Sequence, residues 1–102
     1  MEKFTLALAQ GLEKGSKFLL SNQEEASFLQ LAEVKPMGGN AQFEQFSLFF
    51  KGALERCLPQ DVYKLQHDTL DEVLWMLVPV GRTEDGFLYE AVFSVLKDET
   101  LV

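Results

Sequence analysis

The chain lacks several features that mark common functional classes. It contains one cysteine, Cys57, so an internal disulfide is excluded, and a lone thiol is typical of a reducing compartment. It also contains one histidine, His67, which leaves few ligands for a closed zinc site. These absences favour a cytoplasmic protein with no metal centre and no other cofactor.

Basic residues and long apolar runs are also scarce. Nine Lys and Arg residues stand against sixteen acids, for a net charge of −7, and no basic cluster could neutralise a phosphate backbone. The same sign disfavours an anionic membrane surface. The longest apolar run, 73–80, is too short to cross a bilayer as a helix, and the N-terminus lacks a signal-peptide pattern. We therefore expect neither nucleic acid nor a membrane as a partner.

Phenylalanine is abundant by contrast. Nine Phe residues accompany an apolar fraction of 47% in a chain of 102 residues. A chain of this length forms one domain with one hydrophobic core, so we treat 1–102 as a single unit.

The clearest local pattern is a β-hairpin within 72–95. Two runs of β-forming residues flank a polar stretch that ends in Asp85-Gly86. The first run is apolar at nearly every position, which predicts a strand covered on both faces. The second run alternates with period two and places one set of side chains on a single face: Phe87, Tyr89, Ala91, Phe93 and Val95.

Four further strands are predicted at 16–21, 27–35, 43–51 and 62–67. In the first of these strands Phe18 and Leu20 face inward. In the second, Leu29 and Leu31 share one face, and the other face carries Phe28, Gln30, Ala32 and Val34. The inward sets of the last two are Phe46, Leu48, Phe50 and then Tyr63, Leu65, His67.

The segments between and outside the strands also have distinct patterns. The breaker Pro36-Met37-Gly38-Gly39-Asn40 predicts an exposed, mobile loop as far as Gln42. Residues 52–61 form a connection with room for one helical turn. Phe4, Leu8 and Leu12 recur at helical spacing and favour a short N-terminal helix over 3–12, although Phe4, Leu6 and Leu8 also alternate as in a strand. Residues 97–102 are a polar tail.

Together these patterns predict an all-β, or β-rich α+β, fold. About six strands over 16–95 are joined by links too short for parallel crossovers, so the sheet is antiparallel. It should curl into a small barrel or a two-layer sandwich, with the N-terminal helix covering one end or face.

Four motifs carry a resemblance to a known family. FSLFFKG at 46–52, LPQDVYKLQH at 58–67, VPVGR at 78–82 and YEAVF at 89–93 resemble a family of small bacterial domains of unknown function, each about as long as this chain. The resemblance implies a compact β domain with no established activity and no catalytic residues to carry over. Some family members are encoded near phage-tail-like fibre proteins, which implies an accessory role.

Two groups of residues could in principle bind a metal or act in catalysis. His67 with Asp68, Asp71 and Glu72 forms the densest polar group, but its acids are also those that a turn requires. Cys57 could act as a nucleophile with His67 as its base, yet no residue orients such a pair, and a buried, inert thiol is the preferred interpretation. We therefore expect no metal site and no enzymatic activity.

The apolar run 73–80 predicts a surface of another kind. If Leu74, Met76, Val78 and Val80 face the core, the alternate side chains face the opposite way. That second face comprises Val73, Trp75, Leu77, Phe49 and Val92. Either the N-terminal helix covers it, or it contacts a protein partner or a second copy of the chain.

The preferred function from sequence is a non-enzymatic protein-interaction or accessory module, with a link to phage-tail-like or fibre proteins. The alternative is a carrier that binds a small apolar ligand inside a Phe-lined barrel.

Overall fold

A computed structural model describes residues 4–20, 27–40, 42–55 and 57–96. Within these ranges the elements are α1 (Leu6–Gln10), β1 (Lys17–Leu20), β2 (Ser27–Gly39), β3 (Phe43–Gly52), β4 (Asp61–His67), β5 (Asp71–Thr83) and β6 (Gly86–Leu96). The strands close into a barrel in the order β1-β2-β3-β6-β5-β4, and every neighbouring pair is antiparallel. The predicted all-β antiparallel fold is confirmed, and the open choice is decided in favour of a barrel.

Two three-stranded meanders build the barrel. The first consists of β1-β2-β3 and the second of β4-β5-β6, and two seams join them. At one seam β3 pairs with β6 without a register shift, from Phe43↔Leu96 to Gly52↔Phe87. At the other seam, the described residues of β1 and β4 pair only at Leu19↔Gln66 and Leu20↔Leu65.

The predicted inward faces of β1, β3, β4 and β6 are confirmed. Phe18, Phe46 and Phe50 are fully buried, and Leu65 and Ala91 are buried with them. Alternation identified these faces correctly because the opposite face of each strand carries polar residues over most of its length.

Two bulges in β2 overturn two details of the prediction. The register shifts between Leu31 and Glu33, so Val34 lies opposite the buried Leu48 and packs against the core rather than opposing Leu31. A second shift lies between Pro36 and Gly38, and β2 continues to Gly39. The predicted loop is therefore wrong for 36–39, which are exposed but belong to β2.

The strand tolerates Pro36 for a geometric reason. Among the described residues β1 pairs with β2 no further than Gln30, so the edge of β2 beside Pro36 is open, the place in a sheet where proline is found. The turn that follows is short. The Asn40 side-chain Oδ1 accepts hydrogen bonds from the backbone N–H groups of Gln42 and Phe43 at 2.8 and 2.9 Å.

The N-terminal segment closes one end of the barrel. Thr5 caps α1 through its hydroxyl, which accepts from the Leu8 N–H at 3.3 Å, and Gly11 ends the helix. The helix is thus shorter than the predicted 3–12, of which residue 3 lies outside the described ranges. Ala9 is fully buried, and Phe4 packs against the core.

The connection between β3 and β4 covers the opposite end. It contains a turn at Leu54 and Glu55 rather than the helical turn allowed from sequence. Leu58 is buried, and its N–H donates to the Tyr89 hydroxyl at 2.8 Å. The Tyr63 hydroxyl donates to the Pro59 carbonyl at 2.6 Å. Two ring hydroxyls therefore hold this connection against the barrel end. The predicted tail 97–102 lies outside the described residues.

Candidate functional site

The faces of β5 are the reverse of those predicted. Trp75 is 8% exposed, Leu77 is fully buried, and Val73 packs against the core. The predicted partner surface is therefore wrong for these three residues. Leu74 and Met76, predicted to face the core, are 64% and 50% exposed.

The cause of this error is the composition of the run. Alternation shows which side of a strand faces the core only if the other side is polar. In 73–80 nearly every residue is apolar, so this signal is absent. The pairing of β5 with β4 decides which side chains face the core, because Tyr63 lies opposite Trp75 and Leu65 lies opposite Val73. Since β4 alternates clearly, this pairing was the signal that could have corrected the prediction.

The apolar side chains that remain outside form an outer patch on β4, β5 and β6. Its members are Val62, Leu74, Met76, Val78 and Val92. Val62 lies directly opposite Met76 across the β4–β5 ladder, and Val78 lies opposite Glu90 of β6. Val92 follows on β6 and is 67% exposed. Val92 and Phe49, predicted to share a face with Trp75, lie instead on the outer face, where Phe49 is half-buried.

Polar groups border the outer patch. At one end the Lys64 ammonium lies 4.0 Å from a Glu72 carboxylate oxygen. Beside the patch, the Ser47 hydroxyl donates to the Glu90 carboxylate at 2.6 Å, and Ser47 is fully buried. Glu90 is thereby held in place next to Val78 and Val92. An apolar centre with a polar border is the usual composition of a protein contact surface.

His67 and the neighbouring acids lie beside a groove of about 540 Å³. The imidazole stacks on the buried Phe18 ring, with centroids 4.4 Å apart, and its Nδ1 accepts from the Thr69 N–H at 3.2 Å. Asp71 lies opposite His67 and has a φ of 59°. In the described part of the chain, no three His, Cys, Asp or Glu residues are grouped so that they could hold a metal ion.

Cys57 lies far from His67. Cys57 precedes β4 and His67 ends it, and a strand of seven residues separates its two ends by roughly 20 Å. The expectation of a buried thiol is wrong, because Cys57 is exposed. The structure thus does not bring Cys57 and His67 together as a nucleophile and its base.

No helix in the described ranges is long and apolar enough to cross a membrane.

Of three comparisons with known proteins, one gave a match, and it agrees with the resemblance seen in the motifs. No curated protein and no solved structure matches the chain. A family model described as "Domain of unknown function (DUF6916)" matches residues 4–93, which include all four motifs and the strands from β1 to most of β6. The chain belongs to this family of domains of unknown function.

Proposed function

We propose that the chain is a non-enzymatic protein-interaction module that binds its partner through the outer patch. The observation that carries this proposal is the exposure of Leu74, Met76 and Val92, at 64%, 50% and 67% of their surfaces. Exposed apolar side chains scattered singly need no explanation, but a group of them with a polar border marks a contact surface. Burying the patch against another protein would remove this apolar area from water.

The kind of partner follows from the composition of the patch. All five of its members are apolar, so it fits an apolar surface on another protein, and the charged side chains of Lys64, Glu72 and Glu90 beside them can orient the partner. The partner class we propose is a phage-tail-like or fibre protein, which the motif resemblance implies. A second copy of the chain can dock on the same patch, which would give a two-fold symmetric dimer. We place this function in the cytoplasm, because Cys57 is a free thiol.

The positions of the reactive side chains support a role without catalysis. The His67 imidazole is held by Phe18 and Thr69 at one end of β4, whereas Cys57 precedes the other end. Nucleophilic catalysis requires the base within hydrogen-bond reach of the nucleophile. The proposed module therefore acts by binding alone.

The packed barrel interior gives no support to the alternative of a carrier for an apolar ligand. Phe18, Phe46 and Phe50 are each 0% exposed, and the large side chains of Trp75 and Tyr89 are buried among the same core residues. A carrier needs a pocket that encloses most of its ligand, and these side chains occupy that position.

Leu74→Glu tests the proposal, and Gln30→Glu serves as its matched control. Both side chains are exposed on strands, and both substitutions add one negative charge, but Gln30 lies on β2 away from the outer patch. Cross-linking in the native host identifies the partner, and titration with that purified partner, or light scattering if it is a second copy, measures the affinity. We expect Leu74→Glu to weaken binding at least tenfold, about 1.4 kcal/mol, because a charged side chain would replace an apolar one that is 64% exposed.

Gln30→Glu should bind as tightly as the wild type. Equal affinity of the Leu74→Glu variant and the wild type for every cross-linked protein would contradict the proposal. A chain that remains monomeric and cross-links to no protein would contradict it as well.

A further inference from the structure

Three rings of the barrel, Phe46, Trp75 and Phe93, form an aromatic socket. The Phe46 and Phe93 rings stack with centroids 5.0 Å apart, and Trp75 meets Phe93 edge-on at 5.1 Å. The Phe4 ring occupies the socket, at 4.9 Å from Trp75, 5.2 Å from Phe93 and 5.9 Å from Phe46. Such ring pairs add to stability beyond the apolar area that they bury.

The socket lies where the ladder between β5 and β6 has ended. Their pairing begins at Thr83↔Gly86 and ends at Val78↔Glu90. Trp75 on β5 and Phe93 on β6 lie beyond that point, and their rings meet edge-on. The side chain of Phe4 packs against both rings, and the Leu6 N–H donates to the Glu44 carboxylate at 2.9 Å.

The segment that supplies Phe4 packs against the barrel through Phe4, Leu6 and Ala9. This N-terminal arm, residues 4–10, contains a helix of five residues, which is too short to be stable without the contacts it makes to the barrel. A hinge, residues 11–14, follows, in which Glu13 and Lys14 are exposed. After the hinge the chain is anchored again, because the Gly15 N–H donates to the Leu31 carbonyl at 2.7 Å and the Leu31 N–H donates to the Ser16 carbonyl at 3.0 Å.

We propose that the aromatic socket also binds the N-terminal arm of a second copy of the chain, giving an arm-exchanged dimer. The arm makes the same contacts with either socket, so the free energy of these contacts nearly cancels between the closed monomer and the dimer. The hinge then decides between the two states, because a short flexible linker holds its own arm at an effective concentration in the millimolar range. The wild-type chain is therefore closed at micromolar concentration and exchanges arms when it is locally concentrated.

This site is distinct from the outer patch. Trp75 and Phe93 point into the barrel, whereas Leu74 and Val92, their neighbours in the chain, point outward. Arm exchange therefore stands independently of the proposed function, and each can fail without the other.

Deletion of Glu13 and Lys14 tests the exchange. The shortened hinge should prevent the arm from reaching its own socket while leaving it free to enter a partner's socket. We expect light scattering to give twice the chain mass, with the quenching of Trp75 fluorescence by acrylamide unchanged from wild type. The matched control replaces Glu13 and Lys14 by two glycines, which keeps the hinge length, and should remain monomeric.

Adding Phe4→Ala to the shortened chain should return it to a monomer with a Trp75 that is quenched at least twofold more strongly. A shortened chain that remains monomeric would overturn the proposal, whether its Trp75 is shielded or not.

A second measurement does not depend on the deletion. A synthetic peptide of residues 4–12 (FTLALAQGL) is titrated into the full-length Phe4→Ala variant, whose socket lacks its ring. We expect the peptide to lower the acrylamide quenching of Trp75 to the wild-type level, with saturation. The same peptide carrying Phe4→Ala should leave the quenching unchanged. If neither peptide protects Trp75 at millimolar concentration, the socket does not accept an arm in trans and the proposal fails.

Discussion

The Tyr89 hydroxyl shows how much one polar atom contributes at a barrel end. The ring is 1% exposed, and its oxygen accepts the Leu58 N–H at 2.8 Å. Burial raises the pKa of Tyr89 above its usual value of 10.0, although the bond from Leu58 acts in the opposite direction. The folded state therefore retains a neutral phenol at a pH at which the unfolded chain would ionise it.

We expect Tyr89→Phe to lower the free energy of unfolding by about 1–3 kcal/mol at neutral pH, because the buried Leu58 N–H would lose its acceptor. Because the folded pKa is raised, the contribution of Tyr89 is fully present below pH 10.0 and declines as the pH rises through the folded pKa. When the pH is raised from neutral to above 10.0, the free energy of unfolding should therefore fall less for the variant than for the wild type. Chemical denaturation at several pH values measures both effects, and parallel curves of equal midpoint would contradict this account.

At the scale of the element, β5 shows that hydrophobicity alone does not place a strand in a sheet. Leu74 and Leu77 belong to one apolar run, yet Leu74 is 64% exposed and Leu77 is fully buried. The difference arises from the β4 ladder, in which the buried Tyr63 lies opposite Trp75, on the same face as Leu77, whereas Lys64 lies opposite Leu74.

The same substitution at these two positions separates the two faces. Leu77→Ala should lower the free energy of unfolding by about 2–5 kcal/mol, because it leaves a cavity in the packed interior. Leu74→Ala should change it by about 0.5 kcal/mol or less, since the side chain is mostly in water already. Urea denaturation of the two variants provides the comparison, and a larger loss for Leu74→Ala would reverse the assignment of the faces.

At the scale of the whole molecule, the two seams of the barrel differ in length. The β3–β6 seam pairs ten residues of each strand, from Phe43 to Gly52 and from Phe87 to Leu96. The β1–β4 seam pairs two residues of each strand among those described. Local opening begins where few contacts and hydrogen bonds must break.

Amide hydrogen exchange should reveal this difference. We expect the amides of β1 (Lys17–Leu20) to exchange at least tenfold faster than those of Phe46, Leu48 and Phe50 in β3, although the side chains of both strands reach the core. Exchange followed by mass spectrometry or NMR resolves the two strands. Equal protection of β1 and β3 would show that the barrel opens only by global unfolding.

The candidate sites were less accessible from sequence than the fold. Phe49 and Val92 were predicted to share a face with Val73, Trp75 and Leu77, but these three lie on the core side and the first two on the outer face. Neither the outer patch nor the aromatic socket could be derived from alternation, because both depend on which strands are neighbours. The socket in particular requires Phe4 and Phe93, 89 positions apart in the chain, to meet within 5.2 Å.

The sequence by itself determined the class of fold and the inward faces of β1, β3, β4 and β6, because a polar face opposite an apolar one allows a single orientation in water. Only the tertiary structure decided the closure into a barrel, the bulges in β2, the orientation of β5 and the packing of Phe4 against Trp75 and Phe93. These features depend on contacts between residues distant in the chain, and no local pattern of hydrophobicity records which distant residue will be the neighbour.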